Sequence, residues 1–207
     1  MKLKFCKKLL TCAITFIGIF VVAQTVYAAT ATPTFGGKFE KGVGNVTIYI
    51  DGNSGAGYWE TYMKGGANNW MYPGSGMSNP IYIQFVSSNY GSSIDFYAKK
   101  DSYWTNQESY GVLAETLFYR YGERIKPNPN NYTNWTFTEI YINDDNFRSP
   151  SFTNDQAQGT VIHEMGHAFG LAHNNSNVNS IMCQTSHSRA VQRVQQVDND
   201  AVKSKYN

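Results

Sequence analysis

The alternation of apolar and polar side chains predicts a sheet of several short strands. Side chains of a strand point alternately to its two faces, so a period of two marks each segment. Five segments show it: Asn45 to Asp51, Ile81 to Ser87, Ile94 to Ala98, Gly111 to Tyr121 and Glu139 to Asn143. Because a helical pattern lies between the first two, we expect an α/β domain with helices packed on a mainly parallel sheet.

Three other segments follow helical spacing. Tyr58 to Met71 brings large apolar residues to one helical face, and Thr153-Asn154-Asp155 offers N-cap residues for a helix that runs to about Phe169. A C-terminal helix is predicted by five apolar positions, Val191, Val194, Val197, Ala201 and Val202. The domain is therefore expected to mix strands with at least three helices.

The first 28 residues have the pattern of a secretory signal peptide. A lysine-rich start precedes an apolar run from Leu9 to Ala23, which is shorter than the roughly 20 residues of a membrane span. Small residues in Val26-Tyr27-Ala28 predict cleavage after Ala28, an extracellular location and no membrane attachment afterwards. An uncleaved anchor is the alternative.

Residues 29–44 lack periodicity and predict a flexible lead-in or short propeptide, which leaves 45–207 as the folded domain.

Charge and cysteine content narrow the possible partners. Without the four lysines of the signal segment, 13 of the 17 basic side chains remain against 15 acidic ones, a net charge of −2. No basic stripe is present, so a nucleic-acid partner is not expected. We also expect the protein to be a monomer. Cys6 and Cys12 leave with the signal segment, so Cys183 cannot form an internal disulfide. Stability must then come from the core and from any bound metal.

Three of the four histidines lie within one short segment, VIHEMGHAFGLAH from Val161 to His173. His163 and His167 are four residues apart, so on a helix they lie on one face. A straight helix would carry His173 to the opposite side, since six residues turn it by about 600°. Gly170 permits a sharp turn that returns His173 to the first two. Three imidazole nitrogens suit one zinc ion with an open coordination position.

Glu164 supplies the base that a hydrolytic zinc site needs. It follows His163 directly, so it points to a neighbouring part of the helix surface, where it can take a proton from water and pass it to a leaving amine. A downstream glutamate is an alternative third ligand in such sites, but no Glu follows Glu164. The simpler alternative is a helix with two hydrogen-bonded histidines and an unrelated third. The spacing favours an open zinc hydrolase site.

The segment HEMGHAFGLAH matches H-E-x-x-H-x-x-G-x-x-H, the signature of the metzincins, at every fixed position. Asn179-Ser180-Ile181-Met182 also resembles the methionine turn of that family. The resemblance implies a metzincin-type zincin catalytic domain, with a twisted five-stranded mixed sheet and three helices. It implies an upper lobe to residue 173, a lower lobe over 174–207 and a substrate cleft between them. Met182 would form the floor beneath the histidines without binding zinc.

Among metzincins the chain is most similar to the matrixins. Gly111-Val112-Leu113-Ala114 resembles their substrate-binding edge strand, which implies main-chain hydrogen bonds from Leu113 and Ala114 to a peptide. The family's final helix is matched at four positions, Asp198, Ala201, Val202 and Tyr206, which implies a structural role for Asp198. The proline and tyrosine that wall the matrixin specificity pocket are missing from Cys183 to His187. No side-chain preference therefore follows from the resemblance.

The resemblance implies a secreted zinc-dependent metalloendopeptidase with one catalytic zinc ion and a protein or peptide substrate. Asp144 and Asp145 are candidates for calcium, because hard cations prefer oxygen ligands, although a solvated acidic loop is the alternative. Two other functions stay open. One is a non-catalytic zinc-containing module that binds an extracellular polymer, against which Glu164 argues. The other is an amidase that acts on cell-wall peptides.

Overall fold

The computed structural model describes residues 31–105 and 111–207; the predicted signal peptide lies outside them. One mixed sheet of six strands forms within these ranges, in the order β2-β1-β3-β6-β4-β5. The strands are β1 (Val46–Ile50), β2 (Ile83–Val86), β3 (Ile94–Lys99), β4 (Ala114–Arg120), β5 (Glu123–Ile125) and β6 (Phe137–Asn143). The first four in that order are parallel, while β4 is antiparallel to β6 and β5 is antiparallel to β4. The mixed α/β class expected from the sequence is confirmed.

The described sheet has one strand more than the five expected. A two-residue turn reverses the chain after β4, and the three-residue β5 then pairs with Phe118, Tyr119 and Arg120 only. The other edge of β4 is paired with β6 from Ala114 to Tyr119. Residues 114–117 of β4 therefore keep one edge that no described strand covers.

Five α-helices accompany the sheet within the described residues. Their bounds are α1 (Glu60–Met71), α2 (Asp101–Thr105), α3 (Asp144–Phe147), α4 (Asn154–Ala168) and α5 (Gln196–Tyr206). The long α1, α4 and α5 correspond to the three helices expected, and the other two are about one turn each. Helix α4 packs against α1 and β4, and the Trp70 indole donates to the Ile162 carbonyl at 2.9 Å. No helix within the described ranges has the length and apolarity that crossing a bilayer requires.

Residues 31–44 correct the flexible lead-in expected for this segment. Thr32 Oγ1 donates to Asp198 at 2.7 Å, the Phe35 amide to the Gly170 carbonyl at 2.9 Å, and the Phe39 amide to the Tyr206 hydroxyl at 3.0 Å. Phe39 is buried. The segment lies along the domain through single bridges rather than a regular strand, so its sequence shows no periodicity although it is packed.

Candidate metal centre

Helix α4 begins and ends where its sequence signals place it. Thr153 Oγ1 accepts the Gln156 amide at 3.2 Å, and Gln156 Oε1 accepts the Thr153 amide at 2.9 Å, which completes a capping box. At the other end Gly170 has a φ of +93°, a conformation that glycine adopts without strain. Its amide donates to the His167 carbonyl at 2.8 Å, and the Leu171 amide to the Gly166 carbonyl at 3.0 Å. This Schellman-type ending turns the chain back towards the helix.

The turn brings three imidazoles together. One ligand atom from each of His163, His167 and His173 lies within 4.8 Å of the others, and Nε2 of His167 is 3.1 Å from Nε2 of His173. His163 and His167 are buried, whereas His173 is exposed on the cleft side. Within residues 31–105 and 111–207 this is the one cluster of side chains with metal-ligand spacing. The structure therefore assembles the three residues that the sequence singled out.

Backbone carbonyls orient two of the rings. Nδ1 of His163 lies 2.8 Å from the Ile181 carbonyl, and Nδ1 of His167 lies 2.8 Å from the Leu171 carbonyl. A carbonyl can only accept, so Nδ1 carries the proton and Nε2 keeps its lone pair. Burial also lowers the pKa of all three imidazoles, that of His167 to about 3. Three neutral rings with convergent nitrogens fit a zinc ion.

Glu164 lies in the wall of the same cleft. Its side chain is buried, and its Oε2 is 2.7 Å from the hydroxyl of Thr116, which is also 3.0 Å from the Glu164 carbonyl. Burial raises the pKa of Glu164 to about 7. The hydrogen bond from Thr116 lowers this pKa, but by less than burial raises it. Sequence reasoning missed Thr116, because its partner lies 48 residues away and no local pattern marks the contact.

Met182 lies beneath the histidine helix. The Ser180 to Cys183 turn closes with the Cys183 amide donating to the Ser180 carbonyl at 3.1 Å, and Met182 is fully buried. A Cβ on Gly166 would stand only 2.4 Å from the Met182 sulfur, so glycine lets the thioether contact the helix backbone. Met182 therefore lies directly against the helix that carries His163 and His167, and its role as the floor of the site stays a prediction.

A buried carboxylate from α5 holds this turn. Asp198 is fully buried and accepts four hydrogen bonds: from the amides of Ile181 (2.9 Å) and Gln195 (3.2 Å) and from the hydroxyls of Thr32 and Ser180. Burial outweighs these bonds and raises its pKa. Because the Ile181 carbonyl in turn faces His163, Asp198 supports the imidazole through one residue of backbone.

Comparison with known proteins decides the family. The matrixin model of the M10 peptidases matches residues 75–207, which is well over half of the chain and includes all three histidines. The chain belongs to the matrixin family. Matrixins are metallopeptidases, so the coarse function is that of a peptide-bond hydrolase that depends on a metal, and the family implies zinc.

A comparison with solved structures shows a similar fold and nothing about function. The matrixin chain superposes on a solved structure titled "GM1 bound form of the ECX AB5 holotoxin" with a TM-score of 0.50 and 14% identity. The match covers 86% of this chain and 87% of the other. No curated protein matches the sequence.

The cleft of this matrixin has a volume of about 750 Å³ and extends from the histidines along the free edge of β4. Leu113 and Ala114 line it, as expected, but they differ in what they offer. The Leu113 carbonyl already accepts the Asn143 amide at 2.8 Å. Alternate residues of an antiparallel strand turn their backbone groups to opposite sides, so those of Ala114 and Thr116 face the free edge.

The acidic pair at the end of β6 does not support a calcium site. Asp144 accepts from the Trp59 indole at 2.7 Å and from Arg148 at 3.0 Å, and it also pairs with Lys100. Asp145 pairs with Lys100 at 3.2 Å. These cations and donors use the carboxylate oxygens that a calcium ion would need.

Proposed function

We propose that the chain is a secreted zinc-dependent endopeptidase that hydrolyses peptide bonds of extracellular proteins with Glu164 as its base. The observation that carries the proposal is that one cleft is lined by both the three histidines and the Glu164 carboxylate. Three neutral imidazoles converge within 4.8 Å, and the buried Glu164 carboxylate lines the same cavity. His163, His167 and His173 would bind the zinc ion.

The free edge of β4 suits an extended peptide. A substrate strand can add to an uncovered strand edge through main-chain hydrogen bonds, with little demand on side-chain identity. Ala114 would supply these bonds beside the histidines, and Thr116 lies two residues further along the same edge. Main-chain pairing of this kind does not require a chain terminus, so it favours cleavage within a chain.

The protein's own groups then carry the proton. When bound, a zinc ion lowers the pKa of water and polarises a peptide carbonyl. Glu164 takes a proton from the attacking water and delivers it to the amine nitrogen as the C–N bond breaks. The Thr116 hydroxyl holds the Glu164 carboxylate in place at 2.7 Å, which limits the side-chain motion that would misalign this transfer.

The test is a peptide-library digest read by mass spectrometry, together with metal analysis. We expect cleavage that a chelator abolishes and added zinc restores. Glu164→Gln should lose activity by about 1,000-fold or more while it retains one zinc per chain. Glu60→Gln, which neutralises an exposed carboxylate on α1, is the matched control and should cut normally. Stoichiometric zinc with no cleavage of protein, peptide or peptidoglycan would instead favour a non-catalytic binding module.

Export is tested separately. We expect the protein in the culture medium of a host with a general secretory pathway, with Ala29 as its first residue by intact-mass measurement. Replacement of Ala28 by a bulky residue should block processing, because the −1 position of the cleavage site requires a small side chain. Retention of residues 1–28 on the exported protein would contradict this part of the proposal.

A further inference from the structure

One cation of the cleft has no role in the proposed chemistry. Arg189 lies in the loop after the methionine turn and lines the cleft with Thr160, His163 and Glu164. Its side chain is only 9% exposed, and burial lowers its pKa. Arginine is rarely buried to this extent without an anionic partner, since removal of a charge from water is unfavourable. The partners of the Arg189 side chain therefore indicate what the guanidinium binds.

No carboxylate of the described residues pairs with Arg189. None of the ion pairs within 31–105 and 111–207 includes it. Its Nη2 donates to Gln192 Oε1 at 3.1 Å, and its Nε is enclosed without any acceptor. Glu164, the acid in the same part of the cleft, is hydrogen-bonded to Thr116 instead. The guanidinium thus keeps one unused donor, Nε, and Glu164 attracts it electrostatically without accepting a hydrogen bond from it.

The backbone of α4 makes room for this arrangement. A Cβ on Gly159 would lie 1.8 Å from Gln192 Oε1 and 3.1 Å from Arg189 Nη2, so both side chains rest against a helix surface without a side chain. Gly159 precedes His163 by four residues, which is about one helical turn or roughly 5–6 Å along the axis. The guanidinium therefore lies against the helical turn that precedes His163, in the same cleft as His163 and Glu164.

We propose that Arg189 is a specificity residue that binds a carboxylate of the peptide substrate close to the bond that is cut. The inference rests on the proposed peptidase function and adds the substrate class. A carboxylate matches the planar fork of a guanidinium and would give Arg189 an anionic partner at hydrogen-bond distance. Two parts of a peptide carry that group: the side chain of Asp or Glu, and the free C-terminus. The hydrogen bond to Gln192 and the space beside Gly159 fix the position of the guanidinium before substrate binds.

The experiment compares matched peptides that differ only in this group. Peptides with Glu at each position around a cleaved bond are compared with the isosteric Gln peptides, each as a free acid and as a C-terminal amide. We expect the wild type to prefer a carboxylate at one position by about tenfold or more in kcat/KM. A preference that survives amidation identifies the acidic side chain, and one that amidation removes identifies the C-terminus.

Arg189→Met should bring this ratio to within about twofold of unity. Arg193→Met removes an exposed arginine outside the cleft and serves as the matched control, which should keep the wild-type ratio. A purely structural Arg189 would change both members of each peptide pair equally, so the ratio separates the two roles. If Arg189→Met does not fold, Arg189→Lys keeps the charge without the fork and should reduce the ratio several-fold.

Binding without turnover separates this inference from the proposed function. In the Glu164→Gln protein, fluorescence anisotropy of the same peptides should show the same carboxylate preference in Kd, lost when Arg189→Met is added. If the wild type cuts nothing, the peptidase proposal fails while the Kd ratio still tests Arg189. A wild type with no preference above twofold at any position, in cleavage or binding, overturns the inference, as does a preference that Arg189→Met retains.

Discussion

The Asp198 carboxylate offers a direct test of how the methionine turn is held. Replacement by alanine removes the acceptor of four donors at a site with no exposure to water. The hydroxyls of Thr32 and Ser180 can turn towards each other, since their oxygens are already 3.3 Å apart. The amides of Ile181 and Gln195 are fixed in the backbone and would be left without partners.

The amides of Ile181 and Gln195 determine how much free energy of unfolding the Asp198→Ala protein loses. A buried donor without a partner costs about 1–3 kcal/mol; the Gln195 amide costs less because its contact is only partly buried, and the loss of a desolvated charge offsets part of the sum. We therefore expect Asp198→Ala to lower the free energy of unfolding by about 2–4 kcal/mol. Asp198→Asn should cost less than about 1 kcal/mol, because its oxygen can accept both amides and its NH₂ can donate to hydroxyls that rotate to accept.

Urea unfolding of the apo and zinc-loaded proteins measures both effects. Since the Ile181 carbonyl orients His163, Asp198→Ala should also weaken zinc binding by about 10–100-fold in competition with a chelating dye. Equal destabilisation by Ala and Asn would refute the reasoning, because it would mean that the charge matters and not the number of acceptors. A loss below about 1 kcal/mol for Ala would show that the fixed amides find other partners.

Three further outcomes are expected. Gly166→Ala should lower the free energy of unfolding by about 1–3 kcal/mol in urea, because its methyl group would press on the Met182 sulfur. Thr116→Val should reduce kcat by about tenfold at unchanged zinc content, since Glu164 loses the hydroxyl that holds it. Burial raises the pKa of Asp95 to about 6, so the native state binds this proton more tightly than the unfolded chain does. Relative to Asp95→Asn, the wild type should then lose stability as pH rises from about 4 to about 6, with no further change above.

Each of these has a contradicting result. A neutral Gly166→Ala would mean that the thioether repacks without strain. A Thr116→Val protein with normal kcat would show that packing alone positions Glu164. If the stability difference between the wild type and Asp95→Asn is flat with pH in thermal melts, Asp95 titrates alike in the native and unfolded states.

The sequence predicts what depends on local spacing. The period of two located β1, β3 and β6 because their strands alternate regularly, and the histidine segment with Gly170 located α4, its end and the imidazole cluster. These features follow from contacts within a few turns of chain. The short strand β5 was missed, because three residues after a tight turn are too few to show alternation.

The contacts that complete the site could not be predicted in this way. Thr116 reaches Glu164 only because β4 and α4 pack together, and Arg189 reaches the cleft only because the loop after the methionine turn folds over Gly159. Residues 31–44 pack through isolated bridges that carry no period. All three depend on tertiary packing between segments far apart in the chain, which a single sequence does not display.

The course of the first described residues has a consequence for handling the protein. Phe35 stacks on the His167 ring with 5.9 Å between ring centroids, and its carbonyl accepts from Lys205 Nζ at 2.5 Å. If a contaminating protease cuts the chain after Phe35, the segment that ends at Phe35 is released. The His167 ring then becomes exposed to solvent, and α5 loses its contact with Phe35. Preparations with ragged amino termini would then contain molecules of unequal metal affinity, and intact-mass checks before any titration would show which fraction is being measured.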